Sequence, residues 1–131
     1  MAEREKSRKG SENIESLKIP PYSINAEQSV IGALMLDKQS WDKVADMLIE
    51  EDFYRRDHQL IYRGIRILAE KQSPLDVITL SESLEQLGWL EECGGLAYLA
   101  TLAKETPSAA NIEAYANIVR EKSILRQLIH S

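Results

Sequence analysis

Apolar residues recur along this chain three and four positions apart, in six runs separated by polar or glycine- and proline-bearing breaks. Val30, Ile31, Leu34 and Met35 form one side of a helix expected from a Ser23 cap to about Leu36, with Glu27 in the first turns, where the helix dipole favours a carboxylate. The polar break Asp37-Lys38-Gln39-Ser40 ends it. A shorter helix follows, capped by Ser40, with Trp41, Val44, Ala45 and Leu48 at helical spacing. Ile61, Ile65 and Leu68 mark a third helix from about Asp57 to Ala69, in which Gly64 costs ~1 kcal/mol relative to alanine unless it admits a neighbouring helix. After the turn at Ser73-Pro74-Leu75-Asp76 two caps compete, Asp76 alone or Thr79 with Glu82, for a helix carrying Leu80, Leu84 and Leu87 inward. Gly88 suits the left-handed position just past its end, with Trp89-Leu90 folding back over it. Gly94-Gly95 precede a short helix from Leu96 to about Lys104 with Tyr98, Leu99 and Leu102, and Pro107 closes that run. Asn111 is the expected cap of a last helix from Ile112 to the final residue. No segment requires a β-strand. The pattern predicts an all-α fold, a compact multihelical bundle-like domain with a long C-terminal helix.

That last helix carries more apolar surface than one small body buries. Tyr115, Ile118, Lys122, Leu125 and Ile129 are spaced 3, 4, 3 and 4; Ile112, Ala116, Val119 and Ser123 form an adjoining stripe, and Ile124 and Leu128 lie outside both. Core packing and partner contact both account for positions up to Val119. Beyond Lys122 a protein partner or a continuation of the chain is the expected cover. The interface candidates are Tyr115, Ile118, Lys122, Leu125 and Ile129. The helix reaches Ser131 with no glycine, proline or polar cluster to stop it, which reads as a chain cut inside a helix, the first arm of a hairpin. At the other end residues 1–19 are polar and lack periodicity, so they read as a disordered lead-in to a body spanning 20–131.

Composition narrows the classes of function. A chain of 131 residues sustains one core without disulfides or metal. The single cysteine, Cys93, cannot bridge within the chain, and the charged N-terminus does not resemble a secretory leader, so a cytoplasmic location is expected. No stretch approaches the roughly 20 apolar residues that span a bilayer. Net charge is -5, and the acidic excess falls on the body, a poor match for phosphate; Arg8-Lys9 and Arg55-Arg56 are too short to reverse this. There is no glycine-rich loop followed by Lys and Ser or Thr, so nucleotide cradling is not expected. His58 reads as a packed or hydrogen-bonding residue rather than a base. Pairing it with Cys93 as nucleophile would rest on composition alone. The acidic runs Glu50-Glu51-Asp52 and Glu91-Glu92 read as solvated surface, and no carboxylate and histidine set has metal-ligand spacing.

The wording of the chain carries a further signal. Pro21-Tyr22-Ser23-Ile24-Asn25-Ala26-Glu27-Gln28-Ser29-Val30-Ile31-Gly32 resembles the opening signature of the amino-terminal domain in bacterial replicative DNA helicases of the DnaB type, with Asn25 where an acidic residue is common. Four more blocks follow in the family's order: Asp52-Phe53-Tyr54 with His58 and Ile61-Tyr62; Asp76-Val77-Ile78-Thr79-Leu80; Gly94-Gly95-Leu96-Ala97-Tyr98-Leu99; and Thr106-Pro107-Ser108-Ala109-Ala110-Asn111 leading into Tyr115-Ala116-Asn117-Ile118-Val119-Arg120. The resemblance implies a module that pairs into the collar of a ring-shaped hexamer and recruits primase. It also implies that ATP, Mg2+ and most contact with DNA belong to a separate ATPase domain, which drives 5′ to 3′ unwinding and whose motifs this chain lacks. On its own the chain is then expected to bind no cofactor and to self-associate weakly. Two alternatives compete, a free-standing helical adaptor of a replication or repair complex, and a small enzyme gathering His58, Cys93 and a carboxylate in one pocket.

Overall fold

The computed structural model describes residues 19–130, and among them the fold is all-α. The helices are α1 (Ile24–Leu36), α2 (Ser40–Val44), α3 (Arg56–Glu70), α4 (Val77–Gln86), α5 (Gly95–Glu105) and α6 (Ile112–His130), with a 3-10 turn at Glu50–Asp52. The expected disordered lead-in lies outside the described residues, apart from Ile19.

α1 begins where expected, because Ser23 is extended and its hydroxyl accepts the Ala26 N–H. It is buried nearly all round rather than along one side. Ala26, Ala33 and Gly32 join Val30, Ile31, Leu34 and Met35 in the interior, since α6, α5, α3 and α2 all pack against this helix. Gly32 is what lets α5 come close. A Cβ there would lie 1.9 Å from Thr106 Oγ1 and 2.6 Å from the Leu102 carbonyl oxygen. Gly32→Ala is therefore expected to lower stability by about 1–3 kcal/mol, read as a lower midpoint in urea unfolding with an unchanged slope.

α2 is shorter than its periodicity suggested. Ser40 is the first helical residue and not the cap, its hydroxyl buried without a protein partner, while Asp37 Oδ1 accepts the Gln39 N–H. Val44 and Leu48 still reach the core, and Trp41 packs on Tyr62, which also contacts Phe53. On α3, Ile61, Ile65 and Leu68 are buried. Gly64 faces α4, with its missing Cβ 2.9 Å from Leu84 Cδ2.

Of the two competing caps on α4, Asp76 prevails. Its carboxylate accepts the Thr79 N–H at 2.8 Å, and Thr79 Oγ1 accepts the Asp76 N–H at 2.9 Å. The end of α4 closes as expected: Trp89 N–H donates to Leu84 O, Gly88 N–H donates to Glu85 O, and Gly88 sits at φ 80° with open space around it. That closure corrects one inward assignment. Leu80 and Leu84 are fully buried, but Leu87 is the last residue before the reversal and is 40% exposed.

Candidate interaction surface

α6 lies against α1, α2 and the 3-10 turn. The stripe it buries is Ile112, Ala116, Val119 and Ser123. Turning 100° per residue, the helix then carries its remaining apolar side chains away from the body. Ile118 is 37% exposed, Ile124 40% and Leu125 44%; Leu128 is exposed, and Tyr115, Lys122 and Ile129 are half-buried on the flank. The five interface candidates thus lie on the flank and outward side of the helix, and Tyr115 also packs partly on the core.

A set of polar side chains fixes this helix in place. Asp52, read from sequence as solvated, is fully buried. Its Oδ1 accepts Arg120 Nη1 at 2.8 Å and Ser123 Oγ at 2.7 Å, and its Oδ2 accepts the Ile49 N–H at 2.8 Å. Glu50, in the same acidic run, pairs with Arg63, whose guanidinium also lies over the Trp89 ring. Two of the three donors on this buried carboxylate come from α6 and tie it to the turn before α3, with a strength that exposed ion pairs do not reach.

A second buried system lies between α1, α3 and α5. Glu27 Oε2 accepts the Tyr54 N–H at 2.7 Å; Oε1 accepts the Arg55 N–H at 3.4 Å and lies 2.7 Å from His58 Nδ1. His58 Nε2 is 2.7 Å from Tyr98 Oη, which also accepts Gln28 Nε2 at 3.2 Å. One proton arrangement satisfies every group: His58 donates from Nδ1 to Glu27, Tyr98 donates its hydroxyl proton to His58 Nε2, and Gln28 donates to Tyr98. Burial pushes the Tyr98 phenol above its ordinary value, which keeps that proton on oxygen. Both ring nitrogens of His58 are occupied, so it has none to offer a nucleophile.

Cys93 is fully buried, and burial pushes its thiol up to about 12. An alkylating reagent at pH 8 should leave it unmodified in the folded chain and label it within minutes in denaturant, read by intact mass. Rapid labelling of the folded chain would contradict the placement. The linkage to stability has a definite sign. Below the ordinary thiol value of 9.0 the group is neutral in both states, and from there toward 12 the unfolded chain ionises first, so stability falls as pH rises through that window. A cavity of about 580 Å³ lined by Lys38, Gln39, Trp41, Asp42, Gln72 and Leu75, among others, contains neither His58 nor Cys93. Among the described residues no group of three His, Cys, Asp or Glu could hold a metal ion, and no helix is long and apolar enough to cross a membrane.

Residues 19–121 match the family model described as the DnaB-like helicase N-terminal domain. Over 116 residues, 88% of the chain, the sequence is 52% identical to the replicative DNA helicase DnaB of Buchnera aphidicola subsp. Baizongia pistaciae, covering 25% of that protein. It is 46% identical over 129 residues to the replicative DNA helicase DnaB of Haemophilus influenzae, covering 98% of this chain and 28% of that one. The chain thus spans about a quarter of the length of the curated relatives it matches. Its fold is similar to the crystal structure of the N-terminal domain of DnaB helicase from Mycobacterium tuberculosis, with a TM-score of 0.83 and 41% identity, over 85% of this chain and 77% of that one.

Proposed function

The chain belongs to the DnaB-like helicase N-terminal domain family, and from that premise we propose that it is the protein-interaction and self-association module of a replicative 5′ to 3′ DNA helicase. The observation that carries this reading is the outward face of α6. Ile118, Ile124 and Leu125 stand exposed on a helix whose opposite side is sealed into the core and fixed by Asp52. Joining two such faces removes apolar surface from water at about 25 cal/mol per Å², while Tyr115, Lys122 and Ile129 form the rim. In the assembled helicase these modules pair into the collar of a hexameric ring, and the collar recruits primase. ATP, Mg2+ and most of the DNA contact belong to the ATPase domain of the longer protein.

Sedimentation over about a hundredfold concentration range should show exchange between monomer and a weak dimer. Ile118→Asp with Leu125→Asp should weaken that dimer by about tenfold or more while the far-ultraviolet circular dichroism stays unchanged. A strictly monomeric parent at the highest concentration overturns the self-association role. Primase is tested separately, by titrating its carboxy-terminal domain against the parent and the double variant. Weaker binding by the variant supports recruitment through α6, and equal binding rejects α6 as the contact.

A further inference from the structure

Arg126 joins its own helix to two other segments at once. Its Nη1 donates to the Pro21 carbonyl at 2.9 Å, its Nη2 donates to the Asp52 carbonyl at 2.6 Å, and its guanidinium carbon lies 5.5 Å from the centroid of the Tyr54 ring. Tyr54 stacks in turn on Tyr22, with centroids 4.3 Å apart and planes within 4°. Pro20-Pro21-Tyr22, residues 52–54 and the distal part of α6 therefore meet in one layered joint.

The chemistry of the joint is specific. Pro20 and Pro21 have no N–H, so backbone hydrogen bonds to them can be made only through their carbonyls. A planar guanidinium can serve two carbonyls from different segments while lying over an aromatic ring; a lysine ammonium lacks that fork. The joint also lies at the edge of the core, because Tyr22 and Tyr54 are 41% and 39% exposed. Beyond Ser123 every α6 side chain with a described burial is half-buried or exposed. Core packing therefore holds neither the distal turns of α6 nor the N-terminal strap strongly, and the two are held to each other's support.

We propose that Arg126 is a positioning residue that makes order in the strap at Pro21 and Tyr22 and rigidity of the outward face of α6 a single equilibrium. Releasing the strap loosens the distal turns, releasing α6 loosens the strap, and a partner that grips α6 orders the strap, because a coupling between two sites is reciprocal. The partner arm rests on the interaction role proposed above. The coupling itself is a property of the monomer and is measured there.

The test is backbone 15N relaxation on the whole chain, at a dilution where sedimentation gives monomer. In the parent, Tyr22 and residues 125–128 should have order parameters near the rigid value of about 0.85. Arg126→Ala should drop both regions below about 0.6 while the amides of Ile61 and Ile65 keep their parent values. Arg126→Lys, which preserves charge without the fork, should fall between. Tyr22→Gly is the decisive variant, since it alters only the strap: residues 125–128 should lose order although no residue of α6 has changed. If Tyr22→Gly leaves residues 125–128 as rigid as in the parent, or Arg126→Ala loosens α6 alone, the coupling is refuted. Raising Arg126→Ala into the dimer range should restore order at residues 125–128 without restoring it at Tyr22, because the link between them is cut. Relaxation that confirms coupling in a chain that never dimerises refutes the interaction role and leaves the joint standing.

Discussion

Glu27→Ala should cost about 3–5 kcal/mol of stability, a large share of what a domain of this size has to lose. The carboxylate is 1% exposed and receives the backbone N–H groups of Tyr54 and Arg55 as well as His58 Nδ1. Truncation strips partners from all three donors, of which His58 Nδ1 is fully buried, and each group orphaned away from water costs about 1–3 kcal/mol. The loss also spreads along the chain of bonds, since His58 positions the Tyr98 hydroxyl and Tyr98 receives Gln28. Glu27→Gln retains the shape but presents an amide donor to a donor, so it should lose about half as much. Guanidinium unfolding should show the midpoint falling in the order parent, Gln variant, Ala variant, with the slope unchanged. A loss below about 1 kcal/mol for the alanine variant would mean that the network does not support the fold.

Leu84→Ala should cost about 2–5 kcal/mol, near the upper end of that range. Leu84 is fully buried on α4, and its Cδ2 fills the place that a side chain at Gly64 would otherwise take. The α3 residue facing it is Gly64, which has no side chain to move into the vacated space, and a site that collapses poorly pays most of the cavity cost. The same geometry predicts non-additivity. Gly64→Ala alone forces Leu84 to shift, since the new Cβ would lie 2.9 Å from Cδ2. In the Leu84→Ala background that clash is gone, Leu80 Cδ1 at 3.2 Å has the emptied space to shift into, the new methyl fills part of the cavity, and helix propensity gains about 1 kcal/mol. The double variant should therefore be more stable than Leu84→Ala by about 1 kcal/mol or more, a coupling that a double-mutant cycle on denaturant midpoints reads directly. Additive effects would show that α3 and α4 do not meet at this pair.

The helices were legible because their signals are local. Ser23, Asp76 and Gly88 each sit at the boundary that their chemistry favours, and Ile61, Ile65 and Leu68 needed only a period of 3.6 to be placed inside. The buried polar systems were not legible. His58 was read as a packed or hydrogen-bonding residue, and it is one, but its partner Glu27 is 31 residues away, and Asp52 and Ser123 are 71 apart, so nothing near Glu27 or Asp52 distinguishes them from solvated surface. Leu87 misled because its spacing is helical while its position falls at the helix reversal, where the face turns outward. On α6 the pattern found two apolar stripes but could not say which one faces inward. That choice was made by α1 and the 3-10 turn, which meet the side bearing Ala116 and Ser123, where small residues permit close approach. The exposed face was anticipated as surplus apolar surface, although its separation from the buried stripe required the tertiary fold.

The central position of α1 has a consequence for the order of events during synthesis. Among the described helices α1 is the first to be made, yet one of its principal neighbours, α6, is the last of them, and Arg126 closes on Pro21 across a separation of 105 residues. The 75 residues between the end of α1 and the start of α6 take a ribosome roughly 4–15 seconds to add. Throughout that interval Val30, Ile31 and Leu34 have no α6 to cover them. α1 thus cannot complete its packing as it emerges but waits for α6, with part of its apolar surface open to chaperones in the meantime.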